Sequence, residues 1–166
     1  MSAMALSLGG DAAQAARLAD DLTKRFPEDT VVQFEYLPVI HAAALLGGSA
    51  TKAVEALAPA APYEFGSPGI VGIALLPIYL RGEAYLAARQ SGAAATEFQK
   101  ILDRPSVVGN GPIGALSHLG LARAFALSGE SAKSRTAYQD FFALWNEADP
   151  DIPILKEAKT EYAKLN

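Results

Sequence analysis

The stretch of this chain that most resembles a chemical device is Gly109-Asn110-Gly111-Pro112-Ile113-Gly114, which spells G-x-G-x-x-G ahead of a helical pattern. Such glycines cradle a dinucleotide only when a buried strand leads into them and a parallel sheet surrounds them. Val107-Val108 is too short to supply that strand. Pro112 is better explained as a first-turn helix residue, where its missing N–H costs little. The expectation is a turn before a helix, with phosphate binding at the helix start as the lesser alternative.

The other candidates for chemistry are weaker. His41 and His118 are the only histidines, and neither belongs to an H-x3-H or H-E-x-x-H metal motif. Each reads as a helix-surface or hydrogen-bonded packing residue. Asp20-Asp21 and Glu147/Asp149 suit solvated helix ends, and closeness in sequence does not make them a carboxylate dyad. Serines 117, 128, 131 and 134 have no accompanying base at a persuasive spacing. With no cysteine in the chain, disulfides, thiolate chemistry and the usual zinc modules are excluded. The expectation is a chain with no catalytic residues, no cofactor and no metal.

What must position these side chains is a series of short helices. Two stretches match at a constant offset of forty residues: Tyr85 with Phe125, Ala94 with Ser134, Phe98 with Tyr138, Ile101 with Phe141. The small-then-aromatic step Ala94-x3-Phe98 lets two antiparallel helices approach and interlock. Hydrophobic residues make up 51% of the 166, much of it alanine, and ten prolines and fourteen glycines mostly punctuate the periodic segments. That length suffices for one domain over residues 1–166 with a continuous core.

The spacing predicts a helix stub at 3–8 and a helix over 12–25. Pairs follow at 30–46 with 49–60, 71–90 with 92–103, and 113–128 with 131–146. Pro38 inside the second pair predicts a local irregularity. Linkers run over 59–69 and 103–112, with Tyr63 and Phe65 expected to pin the first against the core. The aromatic last hairpin (Tyr138, Phe141, Phe142, Trp145) needs covering, and a helix near 153–165 reads as an amphipathic cap. Docking of that helix on another domain is the alternative. The opening helix stub suggests a piece cut from something longer.

The formal charge is −4, and no basic patch or aromatic stacking platform stands out, so nucleic acid is a poor partner. The longest apolar runs, such as Ile70–Leu76, are far short of a membrane span. Binding is easier to motivate. In a stack of helix pairs the first helices line one face, which places Tyr79, Glu83 and Leu86 beside Leu119, Arg123 and Ala126, with His41 and Leu45 extending the row. An apolar centre edged by Glu83 and Arg123 suits a peptide segment or helix from a protein partner. The bland alternative is that Glu83 and Arg123 satisfy one another or face water. A structural or self-associating module without a groove is the competing function.

Gly82, Tyr85, Ala94 and Phe98, and again Ala122, Phe125, Gly129, Ser134 and Tyr138, resemble a tetratricopeptide repeat protein. Gly10, Ala15, Leu22 and Pro27 resemble the later part of another such repeat, and Ala53 with Leu57 a weaker one. The resemblance covers about residues 3–146 and implies an all-α, right-handed helical solenoid. It comprises about three full helix pairs, an incomplete N-terminal repeat and a C-terminal capping helix. The chain departs from the standard period of about 34 residues, and Ile78 and His118 stand where the early tryptophan is expected. The stretches Tyr79–Ala87 and Ala148–Lys156 look more specifically like the C-terminal repeat region of acidobacterial serine/threonine protein kinases. That resemblance implies a sensory or docking region in signalling, in the cytoplasm or, on a membrane kinase, outside it. The H-R-D and D-F-G motifs of a kinase domain are absent, so phosphorylation would belong to a parent and not to this chain.

Overall fold

A computed structural model describes residues 2–66 and 73–165, and among these every regular element is helical. The helices are α1 (Ser2–Leu8), α2 (Ala12–Arg25), α3 (Leu37–Leu46), α4 (Ala50–Ala56), α5 (Leu76–Ala87), α6 (Ser91–Leu102), α7 (Pro105–Val108), α8 (Pro112–Leu127), α9 (Ser131–Leu144) and α10 (Pro153–Ala163). A π turn (Val32–Tyr36) leads into α3, and 3-10 turns cover Ala58–Tyr63 and Ile73–Leu75. The expected helix start at 71 and the linker end at 67–69 lie outside the described residues.

The helices pack in order as antiparallel pairs: α1 with α2, α3 with α4, α5 with α6, α8 with α9. Each first helix touches the first helix of the next pair, and each second helix packs on it as well. This is a stacked helical-repeat architecture, in which every unit buries its apolar face against a neighbour. The turn within a pair is itself repeated. Asp11, Gln90 and Glu130 each donate a backbone N–H to a carbonyl five residues earlier (Leu6, Tyr85, Phe125), closing the helix end. The residue before each donor has positive φ: Gly10 at 89°, Arg89 at 58°, Gly129 at 80°.

A pair of residues four apart is buried in or at the end of every second helix. Ala15 and Ala19, Ala53 and Leu57, Ala94 and Phe98, Ser134 and Tyr138 are all 2% exposed or less, and in all but the first pair the second member is the larger. Phe98 shows why a small residue must face it. Its ring wedges between Gly82 of α5 and Gly120 of α8, where a Cβ on either glycine would fall inside the ring's van der Waals envelope. Tyr138 occupies the same place forty residues on. Ser134 beside it donates its hydroxyl to the Ala122 carbonyl at 2.8 Å, and the Tyr138 ring meets α10 through Tyr162 at 5.8 Å. The last helix thus stands where the first helix of a further unit would stand, burying Leu155 and Ala158.

Pro38 produces the expected irregularity. A proline has no N–H for the carbonyl four residues back, and its ring collides with that carbonyl. Here the preceding turn widens, so that the Leu37 N–H reaches Val32 O, five residues back. Both linkers also fold. Ala58–Tyr63 winds as a 3-10 turn; Phe65 joins the core around Leu75, Ile78, Ile101 and Ile113, and the Arg104 guanidinium covers its ring at 3.8 Å. Tyr63 instead stacks on Phe34 at 4.9 Å, with both rings exposed to solvent. Helix α7, inside the second linker, was not anticipated from the sequence.

Candidate functional site

The structure brings Tyr79 and Glu83 of α5 together with Arg123 of α8, because α5 and α8 are adjacent first helices and both residues face the seam between them. Their partners come from elsewhere. Arg123 Nε donates to Glu161 Oε2 at 3.0 Å, and its Nη2 lies 3.3 Å from Glu157 Oε2. Both carboxylates belong to α10, one helical turn apart. Tyr138 also donates its hydroxyl to Glu161 Oε2 at 2.8 Å. Arg123 is engaged chiefly by the last helix, but its charge also attracts Glu83, whose Oε1 is buried.

Glu83 sits at the centre of a physical conflict. Its Oε1 is buried with no hydrogen-bond partner among the described residues. Burial pushes its carboxyl above the usual carboxylate range, while the Arg123 charge and the Tyr79 hydroxyl pull it back. Tyr79 is raised by burial and then by Glu83. Burial works against the charge on Arg123, but Glu161, Glu83 and Glu157 more than offset it and hold the guanidinium protonated. A carboxyl raised on folding binds more protons in the native state than in the unfolded chain. Its contribution therefore lowers stability as pH climbs from the ordinary carboxylate value through the raised one. The melting temperature of Glu83→Gln relative to wild type should rise over that interval and level off above it. A difference independent of pH, read by thermal unfolding between pH 4 and 8, would reject this.

The other expected site residues separate. His41 of α3 is exposed. Leu86 is half-buried against the core that includes Phe98 and Leu119. Leu119 itself is 1% exposed, packed inside that core, and offers a partner no surface. Sequence reasoning missed Glu157 and Glu161; their spacing of four on the final helix was the available signal.

Two further polar features lie outside the seam: the first was missed, and the second, His118, was expected as a helix-surface or hydrogen-bonded packing residue. Arg81, on the opposite side of α5, is buried and donates to Glu97 Oε2 from Nε at 3.0 Å and from Nη2 at 2.8 Å. Nη2 also bonds Glu64 of the first linker, and Lys100 pairs with Glu97 at 2.6 Å. The second feature is at His118, whose Nδ1 is buried, 3.7 Å from Asp140 Oδ2, with no hydrogen bond. Burial depresses its pKa, with Asp140 acting in the other direction.

The glycine motif sits as a turn. Val107 and Val108 belong to α7, not to a strand, and Pro112 opens α8. The strand that a dinucleotide fingerprint requires is replaced by helix. Among the described residues no group of three or more His, Cys, Asp or Glu could hold a metal ion, and no helix is long and apolar enough to cross a membrane. Comparison with protein-family models, with curated proteins and with solved structures finds no match, so the site's chemistry has to be read from its own residues.

Proposed function

We propose that this chain is a non-catalytic protein- or peptide-binding module, a right-handed tetratricopeptide-like stack that docks a partner along the α5–α8 seam. In this reading Tyr79, Glu83 and Arg123 form the polar centre of the groove, Leu86 its apolar wall and His41 its far end, with Leu119 supporting from beneath. The observation that carries it is the treatment of α10. An amphipathic helix is already held at the edge of this seam by two carboxylates on Arg123 and by buried Leu155 and Ala158. A surface that grips one amphipathic helix has the chemistry to grip another. The resemblance to kinase repeat regions extends the reading to a docking or sensory role beside a bacterial serine/threonine kinase, and the gene sequence ahead of Met1 tests that context.

The binding test is to pan a random peptide library on the immobilised chain and measure the enriched peptides by fluorescence anisotropy. Saturable binding is expected to weaken about tenfold in Tyr79→Leu or Arg123→Gln, the loss of one central anchor, and less in His41→Glu. Unchanged affinity in all three would remove the groove assignment. The second reading, self-association, is favoured by one feature: Phe26, Val31, Phe34 and Tyr63 are all exposed large apolar side chains, and Phe34 and Tyr63 stack on one another. A mass that rises with concentration in light scattering, with no peptide enriched, would select it.

A further inference from the structure

The connection between α6 and α8 joins one helix pair to the next. Nine residues separate Leu102 from Pro112, against three within the pairs, at Ala88–Gln90 and Ser128–Glu130. They fold as α7 and the glycine turn, and between them and the ends of α8 and α9 lies a cavity of about 390 Å³. This volume is at the small end of ligand pockets, fit for a molecule of one or two rings. Its walls include Leu102, Val108, Ala115, His118, Leu144 and Trp145. Leu144 at the rim is 59% exposed, an apolar side chain left uncovered.

His118 and Asn110 bring polar side chains to this mostly apolar space. The carboxylate of Asp140 lies 3.7 Å from Nδ1, too far for a hydrogen bond, and its charge favours the neutral tautomer with the proton on Nδ1. Nε2 is then a hydrogen-bond acceptor. Trp145 also lines this space, and its indole is a ring that an aromatic ligand can pack against. We infer that the α6–α8 connection builds a binding pocket for a planar aromatic group bearing one hydrogen-bond donor, of the phenol or indole type, with His118 as its acceptor and Trp145 as its stacking partner. The ring has two sources, a free small molecule or a tyrosine or tryptophan side chain of a bound peptide.

Trp145 is the only tryptophan in the chain, so all tryptophan emission comes from a residue that lines this pocket. The test titrates p-cresol, toluene and a short tyrosine-containing peptide amide into the full chain, exciting where phenols do not absorb. The His118 ring signals and NOEs from the added ring to the Leu102 and Val108 methyls are followed by NMR. p-Cresol should produce a saturable change in Trp145 emission and NOEs to both methyl sets. Toluene should bind about fivefold more weakly, the worth of one neutral hydrogen bond. In His118→Leu that preference should vanish. Ala115→Leu, which fills the cavity, should abolish both titrations while keeping a cooperative melt. A tyrosine peptide tighter than p-cresol assigns the ring to a peptide side chain, and the reverse order assigns it to a small molecule. No saturable change and no NOEs in the wild-type chain would overturn the pocket. A p-cresol preference that survives in His118→Leu would overturn the role of His118. Because the pocket is separate from the α5–α8 seam, Tyr79→Leu should leave these titrations unchanged.

Discussion

Replacing Arg81 with methionine should cost about 3–5 kcal/mol of stability, the range for breaking a buried ion pair from one side. The guanidinium is buried and is shared between Glu97 on the neighbouring helix and Glu64 on the linker. Although burial opposes its charge, hydrogen bonds to Glu97 and Glu64 hold it firmly protonated. Without it, two carboxylates face each other at a site with little water, and Lys100, being 40% exposed, compensates only Glu97. The cost is therefore one of orphaned charge more than of lost attraction. That distinction is measurable. The triple variant Arg81→Met, Glu97→Met, Glu64→Gln should recover most of the stability, since apolar groups of similar volume replace a buried ion pair at little cost. Chemical denaturation of wild type, single and triple variants decides it; a triple variant as unstable as the single would refute the orphaned-charge account. Because Glu64 holds the linker to α5, the single variant should also expose the Ala58–Gly66 segment to proteolysis before global unfolding.

Gly120→Ala should destabilise by about 3 kcal/mol, the upper part of the range for overpacking a core, and lower the melting temperature on the order of ten degrees. The usual expectation has the opposite sign, because alanine is a better helix former than glycine by about 1 kcal/mol. Gly92 is the control. It lies in α6 with open space around its α-carbon, so Gly92→Ala should be neutral or mildly stabilising. At Gly120 the added methyl meets the Phe98 ring, and the ring cannot retreat. On its other face Gly82 leaves space for no more than a hydrogen, a Cβ there lying 2.7 Å from the ring. Two backbones clamp one aromatic side chain, and this contact joins the third helix pair to the fourth. Shrinking the ring should therefore relieve the defect. Gly120→Ala combined with Phe98→Leu should be more stable than the sum of the two single changes, giving a favourable coupling in a double-mutant cycle. Additive losses would place the strain elsewhere.

The sequence was most legible where local chemistry and repetition coincide. The offset of forty residues, carried by Ala94, Phe98, Ser134 and Tyr138, already specified which side chains would share an environment, because a small residue one turn before an aromatic is a packing instruction readable without coordinates. Pro38 was legible for the same reason: its effect on the carbonyl four residues back is local. Helix ends were read to within a few residues where Gly10 and Gly129 close the turns. Arg89 hid a third such turn, since an arginine gives no sign that its backbone will adopt positive φ.

Of the polar contacts, only the approach of Glu83 to Arg123 was legible. Arg81 meets carboxylates sixteen and seventeen residues away, and Arg123 meets one thirty-eight residues away. No periodicity links such residues. Their pairing follows from how far each helix is rotated in the stack, which is set by the volumes of many apolar neighbours together. The row drawn through Leu119 shows the same limit: a shift of a fraction of a turn carries a leucine from a surface to the inside of a core.

The amino-acid order by itself determined the helical class, the pairing of helices and the small-to-large rhythm that spaces them, because these depend on neighbours within one or two turns. Tertiary packing alone decided that α10 would occupy Arg123, that a carboxyl oxygen of Glu83 would be buried, and that the residues after α6 would wall a cavity. Those outcomes depend on the angle and closeness of helices distant in the chain, and these are properties of the assembled stack.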